Sequence, residues 1–450
     1  MNSDWIVTTI GEYCPFTYGK GLKKDDRDNS GEIPVYGSNG PVDTHIEGLI
    51  DQPGIIIGRK GSVGKVHLSN GSFWPIDTAF YTVKEDLEEL WFTYYLLLSV
   101  GLDKMNSDSA VPGLNRDRAH SVTIKIPELL EERKRIGRDL RLLDQKIHLN
   151  KQTNETLEAM AQSIFKSWFV DFNPVRAKIE AKSAGRDPNR AVMATIAGIS
   201  LEQDWDEIEA TLDQKLSNMT EKQRQQLTRT AGLFPDELEE SEIGEVPKGW
   251  DVKSIDSLTK KVSKGTTPSR KARANADDEP SIKFLKVKDV DEKGVIDRSD
   301  LSLISKSIHL NQLKRSILHE NDILFSIAGT IGRVTFIDED LENSNCNQAL
   351  AFIRLKDAQK HFNLLLLNLK SKRIQDKALS LIVQGVQANL SLTNIKEFEI
   401  VVPEDELLAI WNSIISELLN MIKSKRQENR SLSELRDTLL PKLISGKLQI

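Results

Sequence analysis

A Gly-Lys pair after an apolar, strand-like run is one way a chain holds phosphate. Backbone N–H groups and the ammonium surround the anion, and a following Ser or Thr reaches magnesium. Residues 61–66, GSVGKV, lie just beyond such a run, GIIIG. The Walker spacing fails at two places, because Arg59 stands where the first glycine belongs and Val66 where the hydroxyl belongs. A second copy, GTIGRV at 329–334, follows ILFSIAG. A loop used twice points to an internal repeat. Near both copies stand side chains that can hold phosphates as cations or reach base edges as hydrogen-bonding groups. In the first half these are Lys20, Lys23, Lys24, Arg59, Lys60, Lys65 and, in GLNRDR, Asn115, Arg116 and Arg118. In the second they are Lys260, Lys261, Lys264, Arg270, Lys271, Arg273, Arg333, Gln384, Gln387 and Asn389. Each also fits an ordinary solvated surface, and Gly61, Gly64, Gly329 and Gly332 also fit tight turns between strands.

Other chemistry is sparse. Cys14 and Cys346 are the only cysteines, far apart and without zinc spacing, and the seven histidines form no HxxxH pair. No metal ligand set is expected. The two cysteines suit a reducing compartment. The longest apolar run, LWFTYYLLLSV at 90–100, is well short of the ~18 residues that cross a bilayer. The N-terminal MNSDWIVTTIGEY has no basic stretch leading into an apolar one, so a cytoplasmic protein is expected. With 61 Lys+Arg against 67 Asp+Glu, the net charge of -6 is unlike that of a nonspecific nucleic-acid binder, so any DNA contact must be local.

The elements that position the loops repeat as well. DWIVTTIGE from Asp4 matches GWDVKSIDS from Gly249, pairing Trp5 with Trp250 and Ile10 with Ile255. YGKG and VSKGTTPS come next, then the two glycine loops, then WPIDTAFYTV against SNCNQALAFIRL. Each half closes on an alternating strand, SVTIKIP or FEIVVP, with Val122, Ile124, Ile126 and Phe398, Ile400, Val402 on one face. Acidic residues follow each closing proline, Glu128 and Glu131 after Pro127 and Glu404, Asp405 and Glu406 after Pro403, and suit the positive end of a helix.

Both helices carry apolar stripes at coiled-coil spacing. The first runs Ile136, Leu140, Leu143, Ile147, then Asn150 and Asn154, then Leu157, Ala161, Ile164 and Trp168. The second runs Ile414, Leu418, Met421, then Lys425 and Glu428, then Leu432, Leu435 and Leu439. A helix of about 40 residues is ~60 Å long. Two such helices, each too apolar along one stripe to stand alone, are expected to pack on each other. Between the halves, 171–246 reads as a charged connector with some helix. The division expected is 1–127, 128–170 (helix), 171–246 (connector), 247–402 and 403–450 (helix).

Two similar units joined to two similar helices suit duplex DNA, whose equivalent groove positions recur about every 34 Å. The arrangement resembles the specificity subunit of type I restriction-modification enzymes. The resemblance is carried by SIFKSWFVDFNPVRAK (163–178) leading to GLFPDELEESEIGEVPKGW (232–250), by GTIGRV followed by NCNQA, by YGSNG, GRKGSVGKV and WPIDTAF, and by the closing LRDTLLPKLISGKL. It implies an α+β fold in which two mixed, strand-rich target-recognition domains are separated by two long antiparallel coiled-coil-like helices in a pseudo-twofold arrangement. It also implies a non-catalytic reader of an asymmetric bipartite DNA target. The helix pair would set the half-site spacing and dock two methyltransferase subunits, with motor-nuclease subunits joining that core. S-adenosylmethionine, ATP and magnesium would sit on those partners, with no cofactor on this chain.

The motifs of the partner activities are absent: the chain has no Walker loop, and DFNPVRA holds Asn173 and Pro174 without the second proline and aromatic of an adenine methylase. The low identity between the two halves implies different half-sites. Two other classes stay open, an enzyme (a P-loop NTPase or fused methyltransferase) and a protein scaffold whose helices only join partners.

Overall fold

The computed structural model describes residues 5–105, 113–274, 276, 278–383 and 389–448. They form two compact units. The first comprises Met1–Glu155 with Ile422–Ile450, and the second Thr156–Met421.

In the first unit, strand Trp5–Thr9 pairs antiparallel with Thr123–Pro127. Thr9 then starts a short helix, Ile10–Tyr13, through a capping box with Glu12, which satisfies N–H groups that have no partner at a helix start. A four-stranded antiparallel sheet has the order Thr17–Tyr18, Ala79–Thr82, Gly54–Gly58, Val66–Ser69. Beside it in sequence is a three-stranded sheet in which Ile33–Gly37 pairs antiparallel with Gly40–His45 and parallel with Trp74–Pro75. Helix Leu87–Val100 starts on Asp86, whose carboxylate accepts from the Glu88 and Glu89 amides, and stops at Gly101 in the left-handed conformation. GIIIG is buried throughout because both faces of its strand are covered, so the run shows no alternation.

The second unit repeats this plan with other residues. Asp251–Ser254 pairs with Glu399–Val402. The four-stranded sheet runs Thr259–Lys264, Leu350–Leu355, Ile323–Ser326, Val334–Phe336, and the three-stranded sheet has Pro280–Leu285 between Ser302–Ser305 and Asn345–Cys346. The opening turn is conserved to the hydrogen bond: the Ile10 amide donates to Val122 O at 3.0 Å, and the Ile255 amide to Phe398 O at 2.8 Å. One face of FEIVVP was expected to be buried, yet Val401 is buried along with Phe398, Ile400 and Val402.

Two helices of 40 residues, Leu130–Phe169 and Asp405–Ile444, run through both units. Within the first unit they are antiparallel: Asp144 accepts from Arg436 Nη1 at 2.7 Å, and Asn150 Nδ2 donates to Asn429 Oδ1 at 2.9 Å. Within the second unit Phe169 meets Trp411 edge-on, with ring centroids 4.9 Å apart. Of the expected seam, Ile136, Leu140, Ile147 and Leu157 are buried, and Leu143, Ile164, Ile414, Leu418, Leu432 and Leu439 are half-buried. Met421 and Leu435 are corrections, since they are 49% and 45% exposed. The adjacent apolar pairs, Ile414 with Ile415, Leu418 with Leu419 and Met421 with Ile422, fit two phases of the same heptad, and the folded helix takes the other one. The inward positions keep the heptad spacing one residue further on: Ile415, Ile422, Asn429, Arg436 and Leu443, with Trp411 before them.

The 171–246 region folds as four helices, Asn173–Ser183, Pro188–Ile196, Trp205–Ser217 and Glu221–Gly232, and a hairpin, Leu238–Ser241 with Gly244–Pro247. It is bound into the core of the second unit. Trp168 packs edge-on against Phe234 at 5.0 Å, and Trp250 touches Phe169, Phe172 and Phe234.

Candidate nucleic-acid interface

GSVGKV is the turn between the last two strands of the four-stranded sheet, Gly54–Gly58 and Val66–Ser69. Amides in and just before it hold the turn together. Those of Arg59 and Lys60 donate to Thr78 O at 2.9 and 3.1 Å, Val63 to Gly61 O at 3.0 Å, and Gly64 to Gly58 O at 2.8 Å. A phosphate cradle uses such groups free and converging, whereas these amides close the turn. Gly64 is required by geometry: its φ is +72°, and a Cβ there would lie 2.2 Å from the Leu102 carbonyl carbon. In the second unit the Gly332 amide likewise donates to Ser326 O, and the Ser326 hydroxyl ties the turn by donating to Thr330 O at 2.5 Å.

A second segment docks on each turn. The Leu114 amide donates to Arg59 O at 2.8 Å, and the Leu390 amide to Ile327 O at 3.0 Å. Short helices follow, Arg116–His120 capped by Asn115 and Leu392–Lys396 capped by Ser391. These shared hydrogen bonds and the strand registers give a residue correspondence between the units: Tyr18 with Lys264, Arg59 with Ile327, and Arg116 with Leu392.

In the first unit the three positions form a stack. Arg59 Cζ lies 4.9 Å from the Tyr18 ring centroid and Arg116 Cζ lies 5.1 Å from it, both within cation–π range. Phe80 supports Tyr18 edge-on at 5.0 Å, and Arg59 Nη1 donates to Asp77 O at 3.1 Å. Lys20 reaches over Trp74 at 6.0 Å, while Lys65 donates to Asn39 Oδ1 at 3.0 Å. Lys20, Lys23, Lys24, Lys60, Lys65 and Arg118 are exposed. Asn115 is exposed too, but its side-chain oxygen is occupied as a cap, accepting from the Arg118 amide at 2.9 Å. His120 ends that helix with Nε2 accepting from the Phe16 amide at 2.8 Å. Burial first, and the Arg116 charge second, hold His120 below its ordinary value, while Asp117 opposes them.

In the second unit Lys260, Lys264, Arg270, Lys271 and Asn389 are exposed. Lys261 is committed to the fold, donating to Arg315 O at 2.6 Å. Arg333 is a correction to the expected set of outward cations: it is half-buried, and Nη1 donates to Val287 O at 3.3 Å and to Val290 O. Burying its guanidinium against two carbonyls satisfies donors that the strand position would otherwise strand. Gln384, Gln387 and the side chain of Arg273 lie outside the described residues. Tyr18, Trp74 and Asn39 were not among the sequence candidates. Their partners come from loops and a helix distant in sequence, so only the folded chain reveals them.

The family model for the type I restriction modification DNA specificity domain matches residues 2–159 and 247–434. The chain belongs to that family. The type I restriction enzyme HindI specificity subunit of Haemophilus influenzae is 31% identical over 343 residues, covering 75% of this chain and 71% of its own length. The MjaIX specificity subunit of Methanocaldococcus jannaschii is 23% identical over 367 residues, covering 80% and 69%. A crystal structure of a type I restriction-modification system S subunit from M. genitalium shares the fold at a TM-score of 0.57, with 14% identity over 98% of this chain and 96% of that one.

In this specificity chain, residues 160–246 fall outside the family match. That stretch explains the charge balance. Residues 171–246 hold 16 Asp+Glu and 9 Lys+Arg, which leaves 51 acidic and 52 basic residues in the rest of the chain. Outside 171–246 the chain is therefore near neutral, and the excess of acid sits in that stretch. Among the described residues no group of three His, Cys, Asp or Glu could hold a metal ion, and no helix is long and apolar enough to cross a membrane.

Proposed function

We propose that this chain is the non-catalytic reader of its restriction-modification complex, with each unit recognising one half of an asymmetric, bipartite DNA target. The observation that carries this reading is the pairing of the same sheet order in both units with different side chains at corresponding loop positions. Common architecture lets both units approach duplex in the same way, and divergent loops give them different base preferences. Exposed lysines hold phosphates through salt-sensitive contacts, and a wrong base pair costs about 1–3 kcal/mol. The helix pair sets the number of base pairs between half-sites and, with neighbouring surfaces, docks two methyltransferase subunits. Motor-nuclease subunits join through that core. S-adenosylmethionine, ATP and magnesium belong to those partners, this chain binds none of them, and the complex works in the cytoplasm.

Adenine methylation mapped across the genome tests this reading. Cells carrying the chain with its methyltransferase subunit should show a two-part motif that vanishes when only this chain is removed. Unchanged methylation without the chain sinks the reader role and leaves a scaffold.

A further inference from the structure

The stack of Arg59 and Arg116 on Tyr18 differs in kind from the surrounding cations. Lys20, Lys23, Lys60 and Lys65 are exposed ammonium groups on flexible stems, suited to phosphate wherever it lies. Arg59 and Arg116 are half-buried, and each guanidinium lies near the same ring. Tyr18 itself is 46% exposed, so the stack opens to solvent. Arg59 has no carboxylate partner among the described residues, and its only hydrogen bond uses one nitrogen. Arg116 has only Asp117, at 3.4 Å and itself 85% exposed. Both guanidiniums are thus oriented in advance, yet keep donors free. A held, planar fork loses little entropy on binding and matches a planar pair of acceptors.

Two kinds of acceptor offer such a pair: a phosphate, and the O6/N7 edge of guanine in the major groove. The second unit separates them. Phosphates are present in both half-sites, so a phosphate fork would be useful at the same place in both units. At the corresponding positions the second unit has Lys264, Ile327 and Leu392, which can form no such stack.

We infer that Arg59 and Arg116, oriented by Tyr18, are specificity-determining residues that read guanine in the half-site bound by the first unit. The inference rests on the proposed DNA-reading role and assigns that role to particular atoms. Tyr18 acts as a positioning residue, holding both forks over one ring.

The test uses the full chain with its methyltransferase subunit. The charge-preserving variants Arg59→Lys and Arg116→Lys keep a phosphate contact but lose the stacked fork. Methylation mapped genome-wide should then relax at one or two guanine positions of a single half-site, with discrimination there falling roughly 10- to 100-fold. The other half-site and the spacing should be unchanged. A motif identical to wild type in both variants, or methylation weakened evenly at all sites, overturns the inference in favour of a phosphate contact. Dimethyl sulfate interference on the unaltered complex needs no variant: N7 methylation of a guanine in one half-site should block binding. If no guanine in either half-site is sensitive, the inference fails even though the two-part motif stands. Absence of any motif with the wild-type chain would instead remove the proposed function itself.

Discussion

At the scale of single residues, the most demanding group is Asp322, whose side chain is 1% exposed. Its carboxylate accepts from Arg354 Nε at 2.8 Å and Nη2 at 2.6 Å and from the His319 amide at 2.9 Å. Asp322→Ala leaves the half-buried Arg354 guanidinium without its counter-charge, a loss below the ~3–5 kcal/mol of a fully buried charge because Arg354 keeps some solvent; denaturant unfolding of the second unit should register that loss. His120 gives a pH dependence. It is a neutral acceptor for the Phe16 amide, and its proton affinity is held below that of the unfolded chain. Stability tied to it is therefore complete above the unfolded value of about 6.5 and is lost as pH falls through that value towards the depressed folded one. His120→Gln retains an acceptor without titrating, so wild type should lose more stability than the variant in melts between about pH 7.5 and 5. Nothing in FTYGKG marks Tyr18 as the floor of an arginine stack, because Arg59 and Arg116 arrive from a turn and a helix far along the chain. Arg333 reads as a loop cation by its neighbours, and only the Val287 and Val290 carbonyls make it an internal tie.

At the scale of elements, the long helices were legible because acidic residues follow a proline and apolar residues recur every three or four places. The exact seam was not. The heptad spacing is right but its phase is one residue off: Met421 and Leu435 face solvent, while Ile422 is buried and Arg436 reaches Asp144. The polar middle of the stripe has a definite role within the first unit: Asn150 donates to Asn429 Oδ1, and Asn429 Nδ2 donates to Ile147 O at 3.2 Å. Sliding either helix by a turn would strand those amides, so the pair selects one register at some expense in stability. Asn150→Leu with Asn429→Leu should raise the melting temperature while permitting a second register. Methylation mapping would then show motifs with more than one spacer length, and a single unaltered spacer would argue against the lock.

At the scale of the whole molecule, the two units differ in how the chain builds them. Thr156–Met421 is one continuous stretch, whereas the first unit needs Ile422–Ile450 to complete its core, where Leu443 and Ile444 pack with Ile136 and Leu140. A chain cut after Met421 should keep a protease-resistant second unit and lose resistance in residues 1–155, as mass spectrometry of a limited digest would show. The internal repeat was readable from paired motifs, but this discontinuity was not, since no local pattern tells which unit a helix end will join.

The order of synthesis gives that discontinuity a temporal meaning. At about 5–20 residues per second, the ribosome needs roughly 13 to 50 seconds to make Thr156–Met421. Through that interval the nascent first unit waits with part of its apolar face uncovered, and only the late arrival of Leu443 and Ile444 closes it. Chaperone demand should therefore fall on the half made first, and a chain released early would expose its own incompleteness to proteases.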